Sequence, residues 1–195
     1  LGRPANGDGE PIGLFHESIP TVVREDALTL IRPESTMPDV LPESVEQLVT
    51  ILNEVTTISE PWFGPAFCFS NRVLSDVAHE IVVVTEQNAQ LLEAYLPDWL
   101  PDVTHEQPMV AWIEQGEAVG ICASVRTSPH AMAAGVDVCE HARRRGIGQQ
   151  LVKAWGQAVQ DLGKIAMYST SFDNIASQNL AKSLDLKYLG TDFHI

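Results

Sequence analysis

The sequence predicts a mixed α/β fold, and three observations carry that prediction. Short β-branched or apolar runs recur at residues 79–85, 109–113 and 118–126. From residue 135 to the end the pattern becomes strand, helix, strand, helix, strand. The junctions between these segments are marked by glycine, proline or polar residues, which interrupt regular structure. Strands followed by such a tail give a mixed sheet with one parallel crossover, because parallel neighbours need a long connection and the helix over 148–162 supplies it.

Each element has its own warrant. Residues 1–42 hold many prolines and little periodicity, and are expected to form a peripheral arm with one short strand at 28–31. Residues 44–55 place Val45, Leu48, Val49, Leu52 and Val55 at the spacing of a surface helix. The aromatic stretch 62–69, with Gly64-Pro65 inside it, predicts a strand or an ordered loop. His79 to Thr85 is β-branched and predicts a strand, after which Thr85 offers an N-cap to a helix over 90–96 that stops at Pro97. Runs 109–113 and 118–126 flank Glu114-Gln115-Gly116-Glu117 and predict a β-hairpin. A short strand is expected at 135–139, then a helix over 148–162, a strand at 165–169, a helix over 174–184 and a strand at 186–189.

At 195 residues the chain has the length of one ordinary domain. Its composition is that of a globular protein, 45% hydrophobic and 19% charged, without the apolar run of roughly 20 residues that a membrane helix needs. The net charge of −14 repels phosphodiesters and anionic lipid, so no nucleic acid and no membrane is expected as partner, and cationic acceptors suit the field. The cysteines Cys68, Cys122 and Cys139 are odd in number and lack CxxC spacing, which points to a reducing, cytoplasmic setting. The histidines form neither HxxxH nor HExxH, so no metal is expected. Residues 1–13 show no apolar signal-peptide core, and a start at Leu1 suggests a trimmed chain.

The most informative stretch is Arg143-Arg144-Arg145-Gly146-Ile147-Gly148. It lies between the strand ending at Cys139 and a helix carrying Leu151, Val152, Trp155, Val159 and Leu162. Glycine lets backbone approach a ligand closely, and the first N–H groups of a helix have no intrahelical partner. Those donors, the helix dipole and the arginines make a basic island suited to a diphosphate. A dinucleotide fingerprint is the weaker competitor, because Leu151 stands where its last glycine belongs.

Val136, Val138, Arg143, Gly146, Gly148 and Leu151 together resemble the coenzyme A motif of the GNAT superfamily of N-acetyltransferases. The resemblance implies a mostly antiparallel central sheet flanked by helices, with a splayed strand pair forming the coenzyme A slot. It implies that Val136 and Val138 lie along pantetheine, and that Arg143, Arg144, Arg145, Gly146, Ile147, Gly148 and Gln149 surround the pyrophosphate. Asn174-Ile175-Ala176-Ser177, with Leu180 and Leu186 behind it, resembles the family's second motif. This places Asn174 and Ser177 at the cofactor and among the catalytic residues. Residues 108–195 form the expected acyl-CoA-binding core. Residues 1–107 are expected to supply earlier strands, helices and acceptor-side segments of the same fold.

The implied activity is transfer of an acetyl or other short acyl group from acetyl-CoA, or another acyl-CoA, to an amine by direct attack. The acceptor is a small-molecule amine or a protein amine, and a homodimer is allowed. An amine of pKa near 10.4 costs roughly 4–5 kcal/mol to present neutral at pH 7, so a base is required. Asp137 is the first candidate, followed by Glu140 and His141. The family often has a tyrosine seven residues after the motif asparagine and a glycine near the end of the helix; this chain has Ala181 and Asp185. Ser177, Tyr168 and Tyr188 are the remaining candidates for the acid. Trp62, Phe63, Phe67 and Trp112 are candidates for an acceptor pocket, although core packing is the commoner use of such side chains. The departures also admit a coenzyme A-binding sensor without catalysis.

Overall fold

The computed structural model describes residues 43–55, 57, 62–70 and 78–194. The expected arm at 1–42, with its strand at 28–31, lies outside them. Contacts divide the chain into two compact units. One comprises residues up to Phe67 with Ser169–Gln178 and Tyr188–Ile195; the other comprises Cys68–Tyr168 and Asn179–Lys187.

The described part of the first unit contains helix α1 (Glu43–Leu52), strand β1 (Trp62–Cys68) and strand β7 (Lys187–His194), with β1 and β7 as neighbours. Leu48 and Leu52 of α1 are buried, as the apolar spacing predicts. Phe67 is buried edge-on to Tyr188, with ring centroids 5.9 Å apart. Gly64 has to be glycine, since a Cβ there would fall 1.7 Å from the Thr170 carbonyl oxygen.

The second unit holds five strands in the order β2-β3-β4-β5-β6: Ile81–Val83, Val110–Glu114, Glu117–Thr127, Ala131–Val138 and Ile165–Ser169. The first three ladders are antiparallel and β5–β6 is parallel. Helix α2 (Ile147–Asp161) makes the parallel crossover, as the spacing predicts. The β3–β4 hairpin turns at Gln115 (φ 53°) and Gly116 (φ 87°), the paired positive values of a type I′ turn. On one face α2 lays Ile147, Leu151 and Trp155 against the sheet. The other face is closed by Leu92, Leu96 and Val103, which pack with Met109, Ile121 and Ala123.

Three expectations are revised. The helix over 90–96 is replaced by 3-10 helices at Ala89–Leu92 and Pro97–Asp102. Asn88 explains the change: its Oδ1 accepts the Thr85 N–H at 2.7 Å and its Nδ2 donates to the Val83 carbonyl at 2.9 Å. This tight turn displaces Thr85 from the capping role, and Pro97 and Pro101 prevent a long α-helix. Strand β2 is shorter than 79–85, whereas β5 begins at Ala131 rather than at 135. Residues 131–134 are Ala-Met-Ala-Ala, poor in intrinsic strand preference but buried between neighbouring strands, so tertiary pairing prevails.

The last helix, α3 (Ile175–Ser183), ends with Asp185 at φ 52° and a Leu186 N–H to Ala181 carbonyl bond of 3.1 Å. This is a Schellman-type stop in which Asp185 takes the left-handed position usually given to glycine.

A buried polar bridge locks α2 to the sheet. Trp155 Nε1 donates to Ser124 Oγ at 3.0 Å, and Ser124 Oγ lies 3.3 Å from the Pro108 carbonyl, to which it donates. Trp155→Phe removes the donor and leaves a small void. The expected cost is about 1–2 kcal/mol, seen as a lower urea midpoint with an unchanged slope.

Candidate functional site

The site begins where β5 and β6 part. Their parallel ladder runs only from Ala131↔Ile165 to Ala133↔Met167, yet β5 continues to Val138. Residues 134–138 therefore keep β4 on one edge and, among the described residues, have no β6 partner on the other. An unpaired strand edge offers peptide donors and acceptors to an extended ligand. This is the splayed pair expected beside Val136 and Val138.

The β5 strand delivers the chain into a 3-10 turn (Glu140–Ala142) and then the arginine loop. Arg144 and Gly146 both have left-handed backbones, at φ 60° and 80°, which curl the loop into the start of α2. Gly146 is the N-cap and supplies no side-chain hydrogen bond. The first intrahelical bond is Gln150 N–H to Gly146 carbonyl, 3.1 Å, so the amides of Ile147, Gly148 and Gln149 are the orphan donors of the first turn. A Cβ built on Gly146 would meet nothing within 4 Å, leaving room for a ligand against that backbone. Free amides, a positive helix end and open space fit a diphosphate.

The arginines have three different fates. Arg143 folds back, its Nε donating to the Val138 carbonyl at 2.9 Å and tying the loop to the strand end. Arg145 forms a two-point pair with Glu114 of β3, Nη1 to Oε2 at 3.1 Å and Nη2 to Oε1, and Trp112 Nε1 adds 3.2 Å to Oε1. The guanidinium holds the Glu114 carboxyl below its usual range, so this latch persists at neutral pH and is released only as pH falls through that lowered value. Arg144 is exposed. Full positive charge for a phosphate is thus concentrated at Arg143 and Arg144, while Arg145 is partly neutralised by its carboxylate.

The other predicted residues divide by what they offer. Ile147 turns its side chain into the core, leaving only its amide for a ligand. Gln149 Nε2 donates to the Ser183 carbonyl at 3.3 Å, joining α2 to the end of α3. Gly148 faces Leu180 and Val138: a Cβ there would lie 3.2 Å from Leu180 Cδ1 and 3.6 Å from Val138 Cγ2. Asn174 and Ser177 belong to the first unit, where Asn174 Oδ1 accepts the Ser177 N–H at 3.0 Å and caps α3.

Asp137 lies exposed on β5, paired in register with Ile121 and so on the face opposite α2. Glu140 and His141 are also exposed, and the His141 ring sits 5.2 Å from that of Tyr95. Ala181 is fully buried and Tyr168 nearly so, which removes position 181 as a source of a proton donor. Burial pushes the Cys122 thiol well above its ordinary value and raises Cys139 too, so neither is an activated nucleophile. Trp112 serves the Glu114 latch and Phe67 the core. Sequence reasoning missed the Glu114 latch, the Ser124–Trp155 bridge and Glu106, whose Oε2 is buried without a hydrogen-bond partner among the described residues. No local pattern marks any of the three, because each depends on contacts distant in sequence.

The open strand edge runs into an uncapped, arginine-bearing helix start, a geometry suited to an extended ligand with a diphosphate end. The family model described as "Acetyltransferase (GNAT) family" matches residues 76–185, more than half of the chain, and the chain belongs to that family. Its fold is similar to a GNAT-family protein from Novosphingobium aromaticivorans DSM 12444, with TM-score 0.60 and 15% identity over 69% of this chain and 63% of that one. A GCN5-related N-acetyltransferase-like protein from Streptococcus suis 89/1591 is similar with TM-score 0.56 and 13% identity over 77% and 67%. A GNAT-family acetyltransferase from Colwellia psychrerythraea is similar with TM-score 0.53 and 12% identity over 69% and 56%. The chain thus spans 56–67% of the length of these structures. A search of curated proteins gave no match. Among the described residues no helix is long and apolar enough to cross a membrane. The cofactor that goes with this family is acetyl-CoA, and the orphan amides and open Gly146 backbone fit its diphosphate.

Gly148→Asp tests the loop. A carboxylate at the first turn is expected to weaken coenzyme A binding about tenfold or more, measured by calorimetry. Gly148→Ala, whose Cβ meets only the flexible end of Leu180, controls for packing. Unchanged affinity in the aspartate variant removes the diphosphate assignment.

Proposed function

We propose that the chain transfers an acetyl or other short acyl group from acyl-CoA to an amine. The observation that carries this reading is the continuity of the free β5 edge, residues 134–138, with the orphan amides at the start of α2. One ligand with a phosphate end and an extended amide-bearing arm satisfies both.

Val136 and Val138 would line the arm, Arg143 and Arg144 with the amides of Gly146, Ile147, Gly148 and Gln149 would hold the diphosphate, and Arg145 would position the loop through Glu114. The motif resemblance assigns Asn174 and Ser177 to the same cofactor. Bound acyl-CoA supplies an activated acyl carbon and a thiolate leaving group. The amine nitrogen bonds to that carbon as the carbon–sulfur bond breaks, and the surplus amine proton passes to a carboxylate. Asp137 is the assigned acceptor of that proton, being exposed on the cofactor strand and able to release it to water. The acceptor is a cationic amine, small or on a protein, consistent with the net charge of −14.

A second reading, a coenzyme A-binding sensor without catalysis, is favoured by one observation, the burial of Ala181 where the family often has a tyrosine. Coenzyme A release from acetyl-CoA across a panel of primary amines separates the two. Turnover with at least one amine is expected, and tight binding with no turnover on any establishes the sensor. Asp137→Asn is expected to lower kcat/KM about 100-fold while acetyl-CoA affinity stays the same. A pH–rate profile identical to that of the parent removes Asp137 from the proton path.

A further inference from the structure

Glu106 lies between the 3-10 helix Pro97–Asp102 and β3, outside every motif of the cofactor loop. Its carbonyl accepts the Ser124 N–H at 2.9 Å, so the segment runs beside β4 just ahead of the first β3–β4 pair, Val110↔Cys122. Ser124 pairs in turn with Ala134 of β5, the first residue beyond the end of the β5–β6 ladder. Glu106, Ser124 and Ala134 therefore form one row across the sheet. Two strand spacings of roughly 5 Å each separate the Glu106 backbone from the fork. The row is held rigid by the Trp155–Ser124–Pro108 bridge. On the far side of Ser124 the β4–β5 register shifts, so the regular ladder breaks at this same row.

The carboxylate is poorly served where it lies. Its Oε2 is buried and has no hydrogen-bond partner among the described residues. Burial, then repulsion from Asp102, pushes the carboxyl above its ordinary value. An anion in that condition lacks a donor, and such groups concentrate at functional sites.

On the reading of this chain as an acyl-CoA-dependent acyltransferase, we propose that Glu106 receives the acceptor's amino group, Oε2 accepting a hydrogen bond from its N–H. An amine, cationic in water and rich in donors, is the partner this oxygen lacks. Bound there, it lies on the row that ends at the fork. Glu106 is thus an acceptor-binding residue.

Glu106→Gln preserves shape and removes the charge. A carboxyl whose folded pKa is raised costs the folded state stability when ionised, and that cost is relieved as pH falls through the raised value. The variant is therefore expected to melt at the same temperature as the parent or higher at neutral pH, with the difference closing in acid. A merely structural carboxylate would give the opposite sign. Amine binding is read directly from the 13C carboxyl resonance of Glu106 in the CoA-loaded protein, titrated with 1,4-diaminobutane against 1,4-butanediol as control. A saturable shift with the diamine alone is expected, and in turnover assays the KM for the diamine rises about tenfold in Glu106→Gln with acetyl-CoA affinity unchanged. A resonance that responds equally to the diol, or a lower melting temperature of Glu106→Gln at neutral pH, overturns the assignment whether or not the protein turns over. Failure of the parent protein to bind acetyl-CoA overturns the cofactor reading instead, and leaves the melting test of Glu106 standing.

Discussion

The rest of the site depends on the parallel pairing of β5 and β6 stopping after Ala133↔Met167 while β5 goes on to Val138. A sheet normally gains by pairing every strand to its full length, since unpaired buried backbone is costly. Here the second half of β5 is kept open on one edge, and two constraints keep it so. The β4 ladder holds its other edge from Met132 to Val138. Helix α2 crosses the sheet and is pinned through Trp155 to Ser124, directly beside the point of parting. The end of the strand then leads through Glu140–Ala142 into the arginine loop.

The loop gathers positive charge in an acidic chain without a large cationic surface. With a net charge of −14, adding arginines alone would set them against the global field. The structure relies first on backbone dipoles, which carry no net charge, and arranges the arginines around them. Arg143 stabilises the strand end at Val138, and Arg145 is held to β3 by Glu114. The pairing costs the pocket part of a charge and gives the loop a fixed anchor, since a bidentate guanidinium–carboxylate pair restricts both orientation and distance.

The cofactor half of the fold was legible because its signals are local. Glycine beside arginine, the 3.6-residue spacing of Leu151, Val152, Trp155 and Val159, and the β-branched runs act within one turn or one strand. What escaped was long-range. The extension of β5 through Ala131-Met132-Ala133-Ala134 depends on pairing with β6 over Ala131–Ala133 and with β4 from Met132 on, which overrides weak propensity. The expected helix after Thr85 was lost to Asn88, whose side chain bonds the backbone at both Val83 and Thr85. Glu106 and Glu114 looked like ordinary charged residues of loops and hairpins. Only the row through Ser124 and the reach of Arg145 across to β3 give them roles.

Position 181 also follows from proton energetics. Presenting an amine of pKa near 10.4 in neutral form costs roughly 4–5 kcal/mol at pH 7, whereas a thiolate with a thiol pKa near 8.5 is favourably protonated by a solution held at that pH. The demanding proton transfer is the one at the acceptor, and assistance at the sulfur gains much less. A carboxylate that holds the amine or takes its proton serves the demanding transfer. Ala181 can then be given to the core, where it is fully buried and accepts the Leu186 N–H that closes α3. A tyrosine there would have to displace that packing to serve the easier of the two transfers.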